Sequence, residues 1–118
     1  MRILVVDDEP MVAEVIAEAI RTTGHEALVA LDGAEALDIL GVTPVDGVFL
    51  DLVMPGLGGL ELLARVRNSF PQLPVVILSA HVDDDTAREA LKLGAVGIVS
   101  KPAALAELTE ILSRLNPP

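Results

Sequence analysis

Short runs of branched apolar residues alternate along this chain with longer stretches whose apolar positions recur every three or four residues. The short runs predict strands over residues 3–6, 27–30, 47–50, 75–78 and 96–99, since uninterrupted aliphatic residues suit a strand buried on both faces. Between the first two, Met11, Val12, Val15, Ile16, Ala19 and Ile20 fall on one helical face, and Pro10 suits the first turn. Asp32 and Glu35 have capping-box spacing ahead of a helix over 36–40, with Asp in place of the usual Ser or Thr. Leu60, Leu63 and Val66 mark a third helix. Three aspartates, Asp83, Asp84 and Asp85, precede a fourth, which Gly94 closes. Leu105, Leu108, Ile111, Leu112 and Leu115 form a last stripe, stopped by Asn116-Pro117-Pro118. With no repeat, low-complexity tract or internal linker, residues 1–118 are expected to form one domain. Met1, two residues before the first strand, suggests a genuine N-terminus, while the terminal Pro-Pro suits an end or the start of a linker equally.

Five strands and five helices in strict alternation predict an α/β fold, a doubly wound five-stranded parallel sheet with helices on both faces. In such sheets the ligand crevice lies beyond the carboxyl ends of the strands, where the strand order reverses. Asp7 and Asp8 follow the first strand, in "ILVVDDEP", and Asp51 follows the third, in "VFLDLVMPG". Ser79 ends the fourth, in "VVILSAH", and Lys101 the fifth, in "GIVSKP". If the order is 2-1-3-4-5, strands one and three are neighbours and the three aspartates meet, flanked by a hydroxyl and an ammonium. Three carboxylates that close cannot all stay ionised without a compensating charge. A hard divalent cation supplies it, and Mg²⁺ (or Mn²⁺) suits carboxylates together with waters and phosphate oxygens. One carboxylate can then act as a nucleophile towards phosphorus, with Lys101 neutralising the transferring group and Ser79 donating to a phosphoryl oxygen. Each residue alone has a bland reading: an Asp at such a turn is often only a helix cap, and a Lys before Pro is usually surface. Their convergence on four strand ends is the signal.

Composition narrows the field. Of 118 residues, 52% are hydrophobic and 22% charged, which fits a globular chain. Two Phe, no Tyr and no Trp leave the core to Val, Leu, Ile and Ala, and the absence of Cys excludes disulfides and thiolate metal sites. Eighteen acids against eight bases, net charge −10, argue against direct nucleic-acid binding and against an anionic membrane surface. No apolar run approaches the ~20 residues that span a bilayer, and the start lacks a signal-peptide pattern. The cytoplasm is the expected address by default. The glycine-rich "PGLGG" lacks the Lys-Ser/Thr of a phosphate-binding loop and reads as a turn. His81 reads as a rim residue, His25 as surface, and Met11 as either core filler or a docking residue.

Over essentially its whole length the chain resembles the receiver domain of bacterial two-component response regulators. The matching residues are Asp7-Asp8, Asp51 within "DLVMPGLGG", Ser79-Ala80 and Lys101-Pro102, in that order and at those strand ends. The resemblance implies a flavodoxin-like fold and phosphorylation of Asp51 by a histidine kinase, a phosphotransfer protein or a small phosphodonor. It implies Mg²⁺ held by Asp8, Asp51 and the Val53 carbonyl, with Asp7 helping partly through water. Lys101 would pair with the phosphoryl group, Ser79 would move towards it, and the Lys101–Pro102 bond would be cis. The first helix and the region of Pro102 would meet the kinase's phosphohistidine helix. A downstream output domain or target protein would read the altered surface; dimerisation on activation is left open. Many receivers carry Tyr or Phe three residues before the lysine, where this chain has Ile98. Movement of Ser79 is therefore expected to be felt through residues 80–85 and the following helix. No histidine or glutamate is evident near Asp51 to activate water, so a phosphoacceptor with at most slow hydrolysis is expected rather than an enzyme. Two other readings stay open: a receiver fold that binds partners without phosphorylation, and a haloacid-dehalogenase-like phosphohydrolase. The latter wants a second aspartate two residues after the nucleophile, where this chain has Val53.

Overall fold

Within each central strand, successive residues feed opposite faces of the sheet, and both faces are apolar. In β1 (Arg2–Val6), Ile3 and Val5 pack on one side while Leu4 and Val6 pack on the other. β3 (Gly47–Asp51) and β4 (Val75–Ser79) repeat the pattern, which is why all three read as continuous aliphatic runs. With β2 (Glu26–Ala30) and β5 (Gly97–Ser100) they form one parallel sheet of order β2-β1-β3-β4-β5. The computed structural model describes residues 1–53, 58–79 and 83–115, apart from the side chains of Pro102 and Arg114. The expected strand order and parallel architecture are both present. Observed strand ends differ from the expected ones by one residue; β5 starts at Gly97, leaving Val96 half exposed.

Helices cover both faces. α1 (Pro10–Thr22) lies on the Ile3/Val5 side; α2 (Gly33–Val42), α3 (Gly59–Ser69) and α4 (Asp84–Lys92) lie on the Leu4/Val6 side. The buried stripe of α1 is Ala13, Ile16, Ala17 and Ile20, not the wider set expected. Met11 and Val15 fall outside that stripe and face solvent, 83% and 53% exposed. Met11 is therefore no core filler. Asp32 and Asp83 cap α2 and α4, accepting from the Glu35 and Thr86 N–H groups.

The last helical stripe departs most from expectation. It divides into α5 (Lys101–Ala106) and α6 (Leu108–Leu115), giving six helices among the described residues instead of five. Glu107, φ −115°, forms the joint; no proline or glycine marks it, and the local sequence does not account for it. Because α5 starts directly off β5, Ala104, Leu108, Ile111, Leu112 and Leu115 become the buried stripe and Leu105 turns outward. Among the described residues no peptide bond is cis. Lys101 and Pro102 open α5 instead, where proline's fixed φ suits the first turn, so the expected cis Lys101–Pro102 bond is not found.

One glycine ties a helix to the strand end that matters. The Gly59 N–H donates to the Leu52 carbonyl at 3.3 Å, and a Cβ on Gly59 would stand 2.3 Å from Leu52 Cα. Backbone cannot step aside as a side-chain tip can. Gly59→Ala is expected to cost about 1–3 kcal/mol, read as a lower urea midpoint with unchanged slope, by prising α3 from the turn after β3. A midpoint within error of wild type would contradict that close approach.

Candidate functional site

The carboxyl ends of β1 and β3 stand side by side, since Val6 pairs with Leu50. Each strand delivers an aspartate there, and each aspartate spends one oxygen on its own turn. Asp7 Oδ1 accepts from the Glu9 N–H at 3.0 Å, and Asp51 Oδ1 accepts from the Val53 N–H at 3.1 Å. This i to i+2 bond is a local habit of Asp that fixes the side chain's rotation. The Asp7 N–H also donates to the Ala30 carbonyl at 3.1 Å, extending the ladder to β2 and locking the acid in place. Both second oxygens are then left facing the same point.

Lys101 fills that point. Its Nζ lies 2.8 Å from Asp7 Oδ2 and 3.2 Å from Asp51 Oδ2, on a side chain 14% exposed. The contact to Asp51 is a hydrogen bond, whereas the contact to Asp7 lacks that alignment and leaves the buried Oδ2 with a counter-charge but no donor. Burial alone would lower the lysine's pKa; Asp7 and Asp51 outweigh it and raise it, so the ammonium stays charged. Asp51 behaves oppositely. Burial pushes its pKa up, the Val53 N–H and Lys101 offset part of that, and the negative charge of Asp7 adds to the rise. Asp7 and Asp51 are almost wholly buried, and with half-buried Asp8 they offer carboxylate oxygens within 4.8 Å of one another. One lysine cannot balance three carboxylates. A buried oxygen without a donor among hard oxygen ligands fits an ion such as Mg²⁺ or Mn²⁺, for which Asp7, Asp8 and Asp51 are the available side chains.

The other expected residues are placed as follows. Ser79 ends β4 beside β3, 4% exposed, in register with Ser100. Val53 is held in the turn by its N–H, and the residue is 70% exposed. His81 and residues 80 and 82, the expected route for movement of Ser79, lie outside the described residues, as do residues 54–57 of the glycine-rich turn. Ile98 is half buried on β5 against the α2/α3/α4 side of the core. Sequence reasoning missed Glu9. Its Oε1 lies 3.4 Å from Lys101 Nζ, so a glutamate stands at the rim of the site, facing the lysine. The available signal was its position: it is the helix-capping residue of α1, and Glu is a poor cap.

Beside the acids, Met11, Val12, Val15, Ile16 and Leu105 line an open apolar cavity of about 430 Å³ with Lys101 at its margin. A larger groove, about 640 Å³, lies at the opposite end of the sheet between Val42, Pro44, Phe70 and Pro74, away from the acid cluster.

Comparison with known proteins places this constellation. The family model for the response regulator receiver domain matches residues 3–113. The chain is similar to the response regulator MprA of Mycobacterium sp. (strain KMS), 38% identical over 108 residues that cover 92% of this chain and 47% of that protein. It spans between about a quarter and half of the length of the curated relatives it matches, 24% to 47%. Among solved structures it is similar to the receiver domain of NtrX from Brucella abortus, with TM-score 0.86, 37% identity and 96% of each chain covered. The Francisella response regulator 1452 receiver domain is also similar, with TM-score 0.87, 33% identity, and coverage of 97% of this chain and 94% of that one.

Proposed function

Since the chain belongs to the response regulator receiver domain family, we propose that it is a metal-dependent phosphoacceptor switch whose acceptor is Asp51. Residues 1–118 are read as that one domain. The observation that carries the reading is Lys101 seated between the free oxygens of Asp7 and Asp51, at 2.8 and 3.2 Å, above a cluster of three carboxylates.

Asp51 attacks phosphorus with a carboxylate oxygen. The bond from phosphorus to the donor breaks, and the leaving group departs with the electron pair. No proton need be moved by the protein. Lys101, already at hydrogen-bond distance from Asp51, follows the charge onto the phosphoryl group, and the Ser79 hydroxyl donates to another phosphoryl oxygen. Bound at Asp7, Asp8 and Asp51, with the Val53 carbonyl as a further ligand, Mg²⁺ or Mn²⁺ supplies neutralisation of the phosphoryl charge. Histidine is not among the described residues of the site, and Glu9 is paired with Lys101 rather than free to activate water. Slow self-dephosphorylation follows, which suits a signalling state rather than an enzyme.

The phosphodonor partner is a histidine kinase or phosphotransfer protein, and an output domain or target protein reads the phosphorylated surface. Exposed Met11, Val15 and Leu105 beside the site offer the donor an apolar footing. Among the described residues no helix is long and apolar enough to cross a membrane, and a cytoplasmic location is part of the proposal. Intact mass after brief incubation with acetyl phosphate and Mg²⁺ tests the reading. One added phosphoryl group is expected, and none in EDTA. Rapid donor consumption without an adduct would favour a phosphohydrolase; neither adduct nor consumption would favour a binding module that works without phosphorylation.

A further inference from the structure

Glu9 stands where a side chain ordinarily accepts from the free N–H groups of its helix, yet its carboxylate makes no such bond to α1. Its backbone is committed on both sides: the N–H to Asp7 Oδ1 at 3.0 Å, and the carbonyl to the Ala13 N–H at 2.9 Å. The carboxylate reaches instead to Lys101, at 3.4 Å, from a side chain 64% exposed. Lys101 thus faces three acids at 2.8, 3.2 and 3.4 Å, and only the most distant is open to solvent.

We propose that Glu9 is a positioning residue that competes with the incoming phosphoryl group for Lys101 and so restrains phosphorylation of Asp51. The inference rests on the phosphoacceptor reading of this site. Asp7 and Asp51 already hold the ammonium at shorter range, so Glu9 is not needed to place it. In the transfer from acetyl phosphate, an Asp51 oxygen bonds to phosphorus, the bond from phosphorus to the acetyl oxygen breaks, and acetate leaves with the electron pair. No proton is gained or lost. The negative charge at Asp51 grows as its carboxylate becomes a phosphoryl dianion, and Lys101 must turn to meet it. Glu9 opposes that twice, by retaining a share of the ammonium and by repelling the dianion.

Because Glu9 is exposed, the effect is modest and screened: removing its charge is expected to speed phosphorylation about threefold at low ionic strength. The test is a set of intact-mass time courses with acetyl phosphate at saturating Mg²⁺, for wild type, Glu9→Gln and Glu9→Ala, at low and high salt. The Lys101 Nζ resonance in metal-free protein, followed by ¹⁵N NMR, serves as a second readout. Both variants are expected to react about threefold faster at low salt, with the gain falling below about 1.5-fold near ~0.5 M salt, and the Nζ resonance should shift. A lost cap or a local packing change would carry no such salt dependence. Variants that react at or below the wild-type rate, a gain that survives high salt, or an unmoved Nζ resonance would overturn the proposal. If wild type itself forms no adduct, the phosphoacceptor reading fails and this inference with it; if wild type reacts and the variants match it, the inference alone fails.

Discussion

Asparagine in place of Asp51 is expected to remove phosphoryl uptake completely and, without metal at neutral pH, to leave a more stable protein. The first effect is chemical, since an amide is no nucleophile towards phosphorus. The second follows from burial. Desolvation pushes the Asp51 pKa up, and Asp7 adds to the rise. A carboxyl group with a raised folded pKa binds its proton more tightly folded than unfolded. Its stabilising contribution is present at low pH and is lost as pH rises from the ordinary aspartate range through the folded pKa. Above that window the ionised carboxylate is a penalty that the neutral amide of the Asp51→Asn variant would not carry. The variant's advantage therefore opens as pH rises, to about 0.5–2 kcal/mol at neutral pH, the range common to single stabilising substitutions. Added Mg²⁺ should reverse the order, because an ion bound only to the folded state stabilises by mass action and the variant has lost one of its carboxylates. Thermal unfolding of both proteins from pH 3 to pH 8, with EDTA and with Mg²⁺, checks each part. Wild type more stable than the variant in EDTA at neutral pH would contradict the electrostatic account.

Phe49→Ala is expected to cost about 3–5 kcal/mol, a large fraction of the 5–15 kcal/mol that holds a typical domain together. Phe49 sits mid-way along β3, the central strand, with no exposed surface. Its ring packs on the side lined by Ile16 and Ile20 of α1 and by Ile111 and Leu112 of α6. In a chain with two phenylalanines and no larger ring, aliphatic neighbours held by three helices and three other strands cannot collapse into the void. The sheet spacing is fixed by hydrogen bonds, so most of the cavity remains. Phe49→Leu, which refills much of that space, should cost less than about 1.5 kcal/mol. Urea unfolding gives both numbers. Similar midpoints for the two variants would show that volume at this position is not what stabilises the core.

The strands were legible because they are buried on both faces: after Arg2 at the start of β1, no polar position interrupts β1, β3 or β4 before their carboxyl ends. That same feature made the acids legible, since Asp7 and Asp51 are the first charges after each aliphatic run. The meeting of Asp7, Asp8 and Asp51 beside Lys101 needed the strand order as well as the residues; alternation of strands and helices predicted only a parallel sheet, and the order 2-1-3-4-5 entered as a condition that the structure meets. Other features left no such mark. Met11 and Val15 look like core by periodicity, yet the face that packs on the sheet is Ala13, Ile16, Ala17 and Ile20, and both residues fall outside it. The division at Glu107 follows no helix-breaking residue. The cis bond at Pro102 is an expectation of resemblance, not of the residues, and the direct start of α5 at Lys101 displaces it. Glu9 was visible as a third acid, but whether its side chain would cap α1 or cross to Lys101 depends on a rotamer that the sequence does not encode.

The most direct test of the central claim is to find which residue carries the phosphoryl group. Wild-type protein is incubated with acetyl phosphate and Mg²⁺, the acyl phosphate is reduced with borohydride, and the peptides are read by mass spectrometry. Homoserine at position 51, absent when EDTA replaces Mg²⁺, is the predicted result. Homoserine at position 7 or 8, or a phosphoryl group on Ser79, would contradict it.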